Sequence, residues 1–176
     1  MSLDMPQIFE IPDSSERELQ DLFLEKGWGD GLPMVAPTRD RVEEMLSASK
    51  DLDPDEVIAS LPPRDGIATR RIIAVNAVMA GCKPEFLPVV IAALETICTE
   101  EFNMHGVLAT TMSVGPIFVV NGPITLDIGM NSGINVLGHG NRANSTIGRA
   151  VQLVIHNVGG GGPGGVDRST LGHIVK

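Results

Sequence analysis

Tyrosine is absent from this sequence, and five phenylalanines and one tryptophan are its only aromatic side chains. So small a set excludes a nucleic-acid platform that stacks bases on aromatic rings. Positive charge is scarce as well. Thirteen Lys and Arg against twenty-two Asp and Glu leave −9 at pH 7, which argues against nonspecific binding to a phosphate backbone. The two cysteines, Cys82 and Cys98, have neither Cys-x-x-Cys nor zinc-ribbon spacing. A disulfide scaffold is excluded, and a reducing compartment is predicted. The longest strongly apolar run, Phe86 to Cys98, is about 13 residues and contains Pro88 and Glu95. It is too short to span a bilayer and reads as a buried helix. Met1 to Glu10 has no basic region followed by an apolar one, so it does not read as a secretory signal. Met1-Ser2-Leu3 reads as an appended leader before a native start at Met5. Together these features predict a cytoplasmic protein with no nucleic-acid and no membrane partner.

What is present supports a real core: 43% of the 176 residues are apolar, and the length suits one domain. Charge divides the chain. Residues 1–65 hold sixteen acidic and six basic side chains, a net of −10, whereas residues 66–176 hold six and seven, a net of +1. Fourteen of the twenty glycines fall between Gly106 and Gly165. The expected architecture is α+β. A helical, acidic N-terminal layer (residues 1–65) packs on a Gly-rich α/β body with a small sheet (residues 66–176), and the two form one compact domain.

The pattern places a first helix from Ser14 or Ser15, where Ser15 and Glu18 have capping-box spacing and Leu19, Leu22 and Phe23 make one stripe. Gly27 stops it, followed by the turn cluster Trp28 to Pro33. A second helix follows Thr38, with Val42, Met45 and Leu46 inward, and Asp53 or Pro54 opens a short third. Pro62-Pro63 marks a hinge or linker. Thr69 caps a helix to about Ala80, Gly81 ends it, and Pro84 starts another that runs to about Glu100. Val107 to Met112 and Ile117 to Val120 read as strands, with Thr110 and Thr111 on opposite faces of the first. Residues 125–141 read as loop, and Ser145 to Asn157 as the last helix.

Three constellations could carry chemistry. The first runs from Asn131 to Arg149. Glycines let backbone approach a ligand, and free amides at a helix start attract anions. Asn141, Arg142, Asn144, Ser145, Thr146 and Arg149 would hold a carboxylate or phosphate, with Ser145 or Thr146 as the helix cap. The bland alternative is a glycine-rich loop capped by Asn144 with its arginines in water. Neither a Walker loop nor a dinucleotide fingerprint is present. The second is Cys82, beside Lys83 and just before a helix start, where a thiol is activated; against this stands burial as a small hydrophobe. His105 and His139 are candidate proton carriers, and with a carboxylate they would be a conceivable metal set, although no metal-ligand spacing is present. His156, at a helix C-terminus, needs only the dipole to explain it. The third is Asp30, between Gly29 and Gly31, which reads best as an Asx-type turn.

The segments GWGDGLPMVAPTRDRVEEML, AVNAVMAGCKPEFLPVVIAALE, NMHGVLATTMSVGPIFVVNGPI and NSGINVLGHGNRANSTIGRAVQLVIHNVGG resemble sequences grouped with the UGSC family of (seleno)proteins. That family is named for a selenocysteine-or-cysteine, Gly, Ser, Cys motif. The resemblance covers about residues 27–172 and implies a bacterial protein with thiol or selenol redox chemistry. This chain departs from it in holding no Cys-Gly-Ser-Cys, and Cys82 stands in Ala-Gly-Cys-Lys-Pro instead. The resemblance therefore implies a motif-bearing partner subunit or domain, and relatives continue beyond Thr170 to His173.

The leading expectation is an enzyme of redox or lyase type, or its substrate-binding subunit, acting on a small anionic organic molecule. Arg142 and Arg149 would hold the anion, His105 or His139 would move a proton, and Cys82 would be the thiol. The sequence leaves the cofactor unknown. The alternatives are a non-catalytic assembly subunit, marked by exposed apolar surface, and a ligand-binding sensor. Few aromatics and many glycines also predict a homo-oligomer joined through residues 66–176.

Overall fold

The computed structural model describes residues 15–49 and 51–169. The leader and native start read at Met1 to Met5 lie outside them. The elements run α1 (Glu16–Glu25), α2 (Arg39–Leu46), β1 (Val57–Leu61), β2 (Gly66–Thr69), α3 (Arg70–Ala80), α4 (Leu87–Ile97), α5 (Met104–Ala109), α6 (Ile124–Asp127) and α7 (Arg142–Asn157). This is the expected α+β class, with one antiparallel pair of strands among the described residues. No helix among them is long and apolar enough to cross a membrane.

Local chemistry sets the helix ends. Ser15 and Glu18 form the reciprocal capping box on α1. Thr69 caps α3 through the Ile72 N–H, and Gly81 ends it with φ +86°, a left-handed conformation that glycine adopts without a Cβ penalty. The core is built on α3 against α7, with α2 and α4 completing it. Ile73, Ala74 and Ala77 of α3 and Ala150, Leu153 and Val154 of α7 are fully buried, as are Leu87, Val90, Leu94 and Ile97 of α4. Small residues on α3 let the two central helices approach closely.

Several expected elements differ. No helix opens at Asp53 or Pro54. There the chain turns into β1, and Pro62-Pro63 is not a linker but part of the turn joining β1 to β2. Proline has no amide to give a ladder, so it sits at the turn. Val107 to Met112 is not a strand. Asn103 accepts the Gly106 N–H and starts α5, which ends at Ala109, and Thr110 accepts the Met112 N–H in the following turn. Ile117 to Val120 has no ladder partner among the described residues. The last helix starts at Arg142 rather than Ser145, because the Asn141 side chain accepts the Asn144 N–H and caps it.

Three ion pairs cross the charge division seen in the sequence, beside the apolar packing of α2 on α3. Arg70 pairs with Glu56, Arg71 with Asp55 at 2.8 and 3.1 Å, and Arg149 with Asp30 at 2.7 and 2.8 Å. Each arginine belongs to the body and each carboxylate to the acidic segment. The division at residue 65 also falls inside the hairpin, with β1 on one side and β2 on the other. Gly66 then rests against the end of α7, where a Cβ would stand 1.9 Å from the Val158 carbonyl oxygen.

Candidate functional site

The corner between α3 and α4 faces the first turn of α7. After Gly81 the chain passes through Cys82 and Lys83 into a 3-10 turn, Pro84–Phe86, and then into α4. Arg142, the first residue of α7, donates through Nε to the Gly81 carbonyl at 3.0 Å. A cation on the last carbonyls of α3 is favoured by that helix's dipole. The Cys82 thiol donates to the Thr146 carbonyl at 3.3 Å. Arg142, Lys83 and Arg41 of α2 line one cleft of about 430 Å³, with Gly81, Cys82, Val35, Glu44 and Glu85. Lys83 and Glu85 lie 3.6 Å apart. Three cations and two carboxylates leave this cleft locally positive in a chain of net charge −9. The Nη atoms of Arg142 have no protein partner among the described residues.

Of the six residues expected to hold an anion, Arg142 alone lines this cleft. Arg149 does not line it. Its guanidinium grips the Asp30 carboxylate and also donates to the carbonyls of Leu32 and Pro33 at 3.3 and 3.1 Å. Both side chains are 13% exposed. Burial pushes the Asp30 carboxyl up, but hydrogen bonds from Arg149 and from the Leu32 N–H, with the arginine's charge, bring it below the ordinary 3.8. Asp30 does form the expected Asx-type turn through the Leu32 N–H at 3.1 Å.

The asparagines are engaged in holding the loop. Asn144 accepts from the Asn131 N–H at 3.0 Å and donates to the carbonyls of Asn131 and Val136 at 2.9 and 3.2 Å. Asn141, the cap, donates to the Gly129 carbonyl at 2.8 Å. Neither Ser145 nor Thr146 is the cap. The Thr146 hydroxyl donates back to the Arg142 carbonyl at 2.7 Å, and Ser145 is exposed. A polar loop of this length needs such pinning, because its backbone groups have no helix or ladder to satisfy them.

His105 and His139 are both exposed, on the first turn of α5 and in the loop before α7, and neither lines the cleft. Among the described residues no group of three His, Cys, Asp or Glu is placed to hold a metal ion. His156 Nε2 lies 2.9 Å from the Gly27 carbonyl and donates to it, tying the end of α7 to the end of α1.

Cys82 is buried, and burial pushes its thiol up to about 11, although the charges of Arg142 and Arg149 act the other way. The helix-start activation expected from the sequence is outweighed by desolvation. Cys98, at the end of α4, is half-buried, and burial raises it too. Iodoacetamide at pH 8 is therefore expected to alkylate Cys98 before Cys82, read by peptide mass mapping over time. Cys82 reacting first would show an activated thiol and overturn this assignment.

Sequence reasoning missed Arg41 and treated Lys83 only as a charge beside the thiol. Arg41 comes from a different helix, brought in by the packing of α2 on α3, and no local spacing announces it. Comparison with protein-family models, curated proteins and solved structures yields no match.

Proposed function

We propose that this protein binds a small organic anion in the cleft over Cys82 and serves as the ligand-binding subunit of a cytoplasmic assembly. The observation that carries the reading is the convergence of Arg41, Lys83 and Arg142, from three separate stretches of chain, on one cleft. Arg142 is already oriented by its Nε bond to Gly81, so its two Nη groups meet a carboxylate or phosphate at reduced entropic cost. Lys83 and Arg41 add charge around it. Cys82 contributes a protonated, apolar floor. The thiol or selenol chemistry implied by the UGSC resemblance then belongs to a motif-bearing partner, not to Cys82. His105 and His139 do not line the cleft, so the proton-carrier role expected of them has no support from its geometry.

Calorimetric titration of the wild-type chain with a panel of mono- and dicarboxylates and inorganic phosphate tests the reading. At least one member is expected to bind. Arg142→Ala is expected to weaken it tenfold or more, since each charge-assisted bond contributes roughly 1.5–3 kcal/mol. The unliganded melting temperature should change little, because the lost Nε bond is exposed. Absence of binding to every member, or equal binding by Arg142→Ala, would overturn the proposal. The non-catalytic assembly reading is favoured by a separate observation, the exposed apolar side chains between Met112 and Leu137.

A further inference from the structure

From Gly106 to Asn141 the sequence holds one Asp, Glu, Lys or Arg, Asp127. Within this nearly uncharged stretch, Ile117 to Val120 alternates as a strand does. Phe118 and Val120 pack against the core, whereas Ile117 and Val119 are 72% and 80% exposed. None of the backbone N–H or C=O groups of these four residues has a hydrogen-bond partner among the described residues. The segment is thus an open strand edge with an apolar outer face. Edges that must stay open in a monomer are blunted with charge, proline or a bulge. Here Pro116 and Pro123 bound the segment, and nothing blunts its middle.

Beside this edge runs a groove of about 360 Å³, lined by Ile117, Phe118 and Leu137 on one side and by Gly148, Val151 and Ile155 of α7 on the other. Leu137 is 82% exposed at its rim. Met112, Leu126 and Ile134, from the same stretch, are also largely exposed.

We propose that this edge and groove are covered by a second copy of the same chain, with Ile117 to Val120 pairing antiparallel across a two-fold axis. A two-fold contact brings a surface against itself, so any charged patch would meet its own sign. This face carries almost no charge and therefore meets itself without repulsion, unlike the acidic segment of net −10. Antiparallel pairing of identical strands is self-complementary, and it satisfies the open amides and carbonyls of both copies together. The proposal is independent of the anion cleft.

Sedimentation velocity over a hundredfold range of concentration tests it, with circular dichroism to show that each variant is folded. The wild type is expected at twice the 18.7 kDa chain mass. Val119→Lys, which sets two cations opposite each other at the exposed face, is expected to sediment as a monomer. Val119→Pro, which removes an amide from the edge, is expected to raise the dimer dissociation constant at least tenfold. A wild type that is monomeric throughout would overturn the proposal. So would a dimer unaffected by both substitutions, since its contact would lie elsewhere.

Discussion

Replacing Arg149 by alanine is expected to lower the unfolding free energy by about 3–5 kcal/mol, read from urea denaturation at neutral pH. The substitution leaves the Asp30 carboxylate, 13% exposed, without its bidentate partner, and it strips two carbonyls of their donor. Uncompensated burial of a charge is among the largest single-residue costs. For a chain of this size the melting temperature should fall by roughly 10 °C. The double variant Asp30→Asn with Arg149→Ala, compared with Asp30→Asn and Arg149→Ala alone, removes both charges while an amide can still make the turn to Leu32. It should recover a large part of the loss, giving a coupling of more than about 1 kcal/mol in the cycle. The sign with pH follows from Asp30. Its folded value is depressed, so its contribution is complete above the ordinary 3.8 and is lost as pH falls through the depressed value. The gap between wild type and Arg149→Ala should accordingly narrow in strong acid. A loss below about 1 kcal/mol would place the pair with ordinary surface ion pairs and refute this account.

Gly66→Ala should be as damaging, by about 3 kcal/mol, for a steric reason. The new Cβ would stand 1.9 Å from the Val158 oxygen and 2.7 Å from its carbonyl carbon, both backbone atoms. No rotamer relieves that contact, so β2 must part from the end of α7. The same junction holds the Arg64 N–H to the Gly159 carbonyl at 3.1 Å, and a shift would cost that bond too. Gly148→Ala is the internal comparison. It lies within α7, and its added Cβ would meet nothing within 4 Å, so a gain of about 0.5–1 kcal/mol is expected from helix propensity. Thermal and urea unfolding of both variants check the pair. Similar effects of the two alanines would show that the hairpin does not press on α7 as described.

Arg142 and Arg149 have different surroundings. They share a helix and were equal candidates by sequence, as a pair of cations near a glycine-rich loop. The fold separates them. Arg142 keeps its Nη groups at the cleft, while Arg149 is spent on a turn near the other end of the chain. Ligand binding should therefore respond to Arg142 and stability to Arg149.

The features that the sequence determined by itself are those that act over a few residues. Ser15 with Glu18 capped α1, and Thr69 and Gly81 bounded α3, because capping geometry repeats within one or two helical turns. The α+β class was read correctly, but from Val107 to Met112 and Ile117 to Val120 rather than from the β1 and β2 that form the sheet. The charge imbalance was equally visible, but its meaning was not. Only the tertiary structure matched Arg70, Arg71 and Arg149 to their carboxylates, since ion pairing depends on distance in space and carries no signature in spacing. It likewise decided the short strands and the cleft. Val107 to Met112 has a strand's composition, yet Asn103 at its start supplies a cap that favours α5. β1 and β2 are few residues long, and their pairing rests on contact with each other and with α7. Cys82 had the charge and helix position of an active thiol, and burial reversed the sign. Desolvation depends on everything packed around a group, which no window of sequence contains.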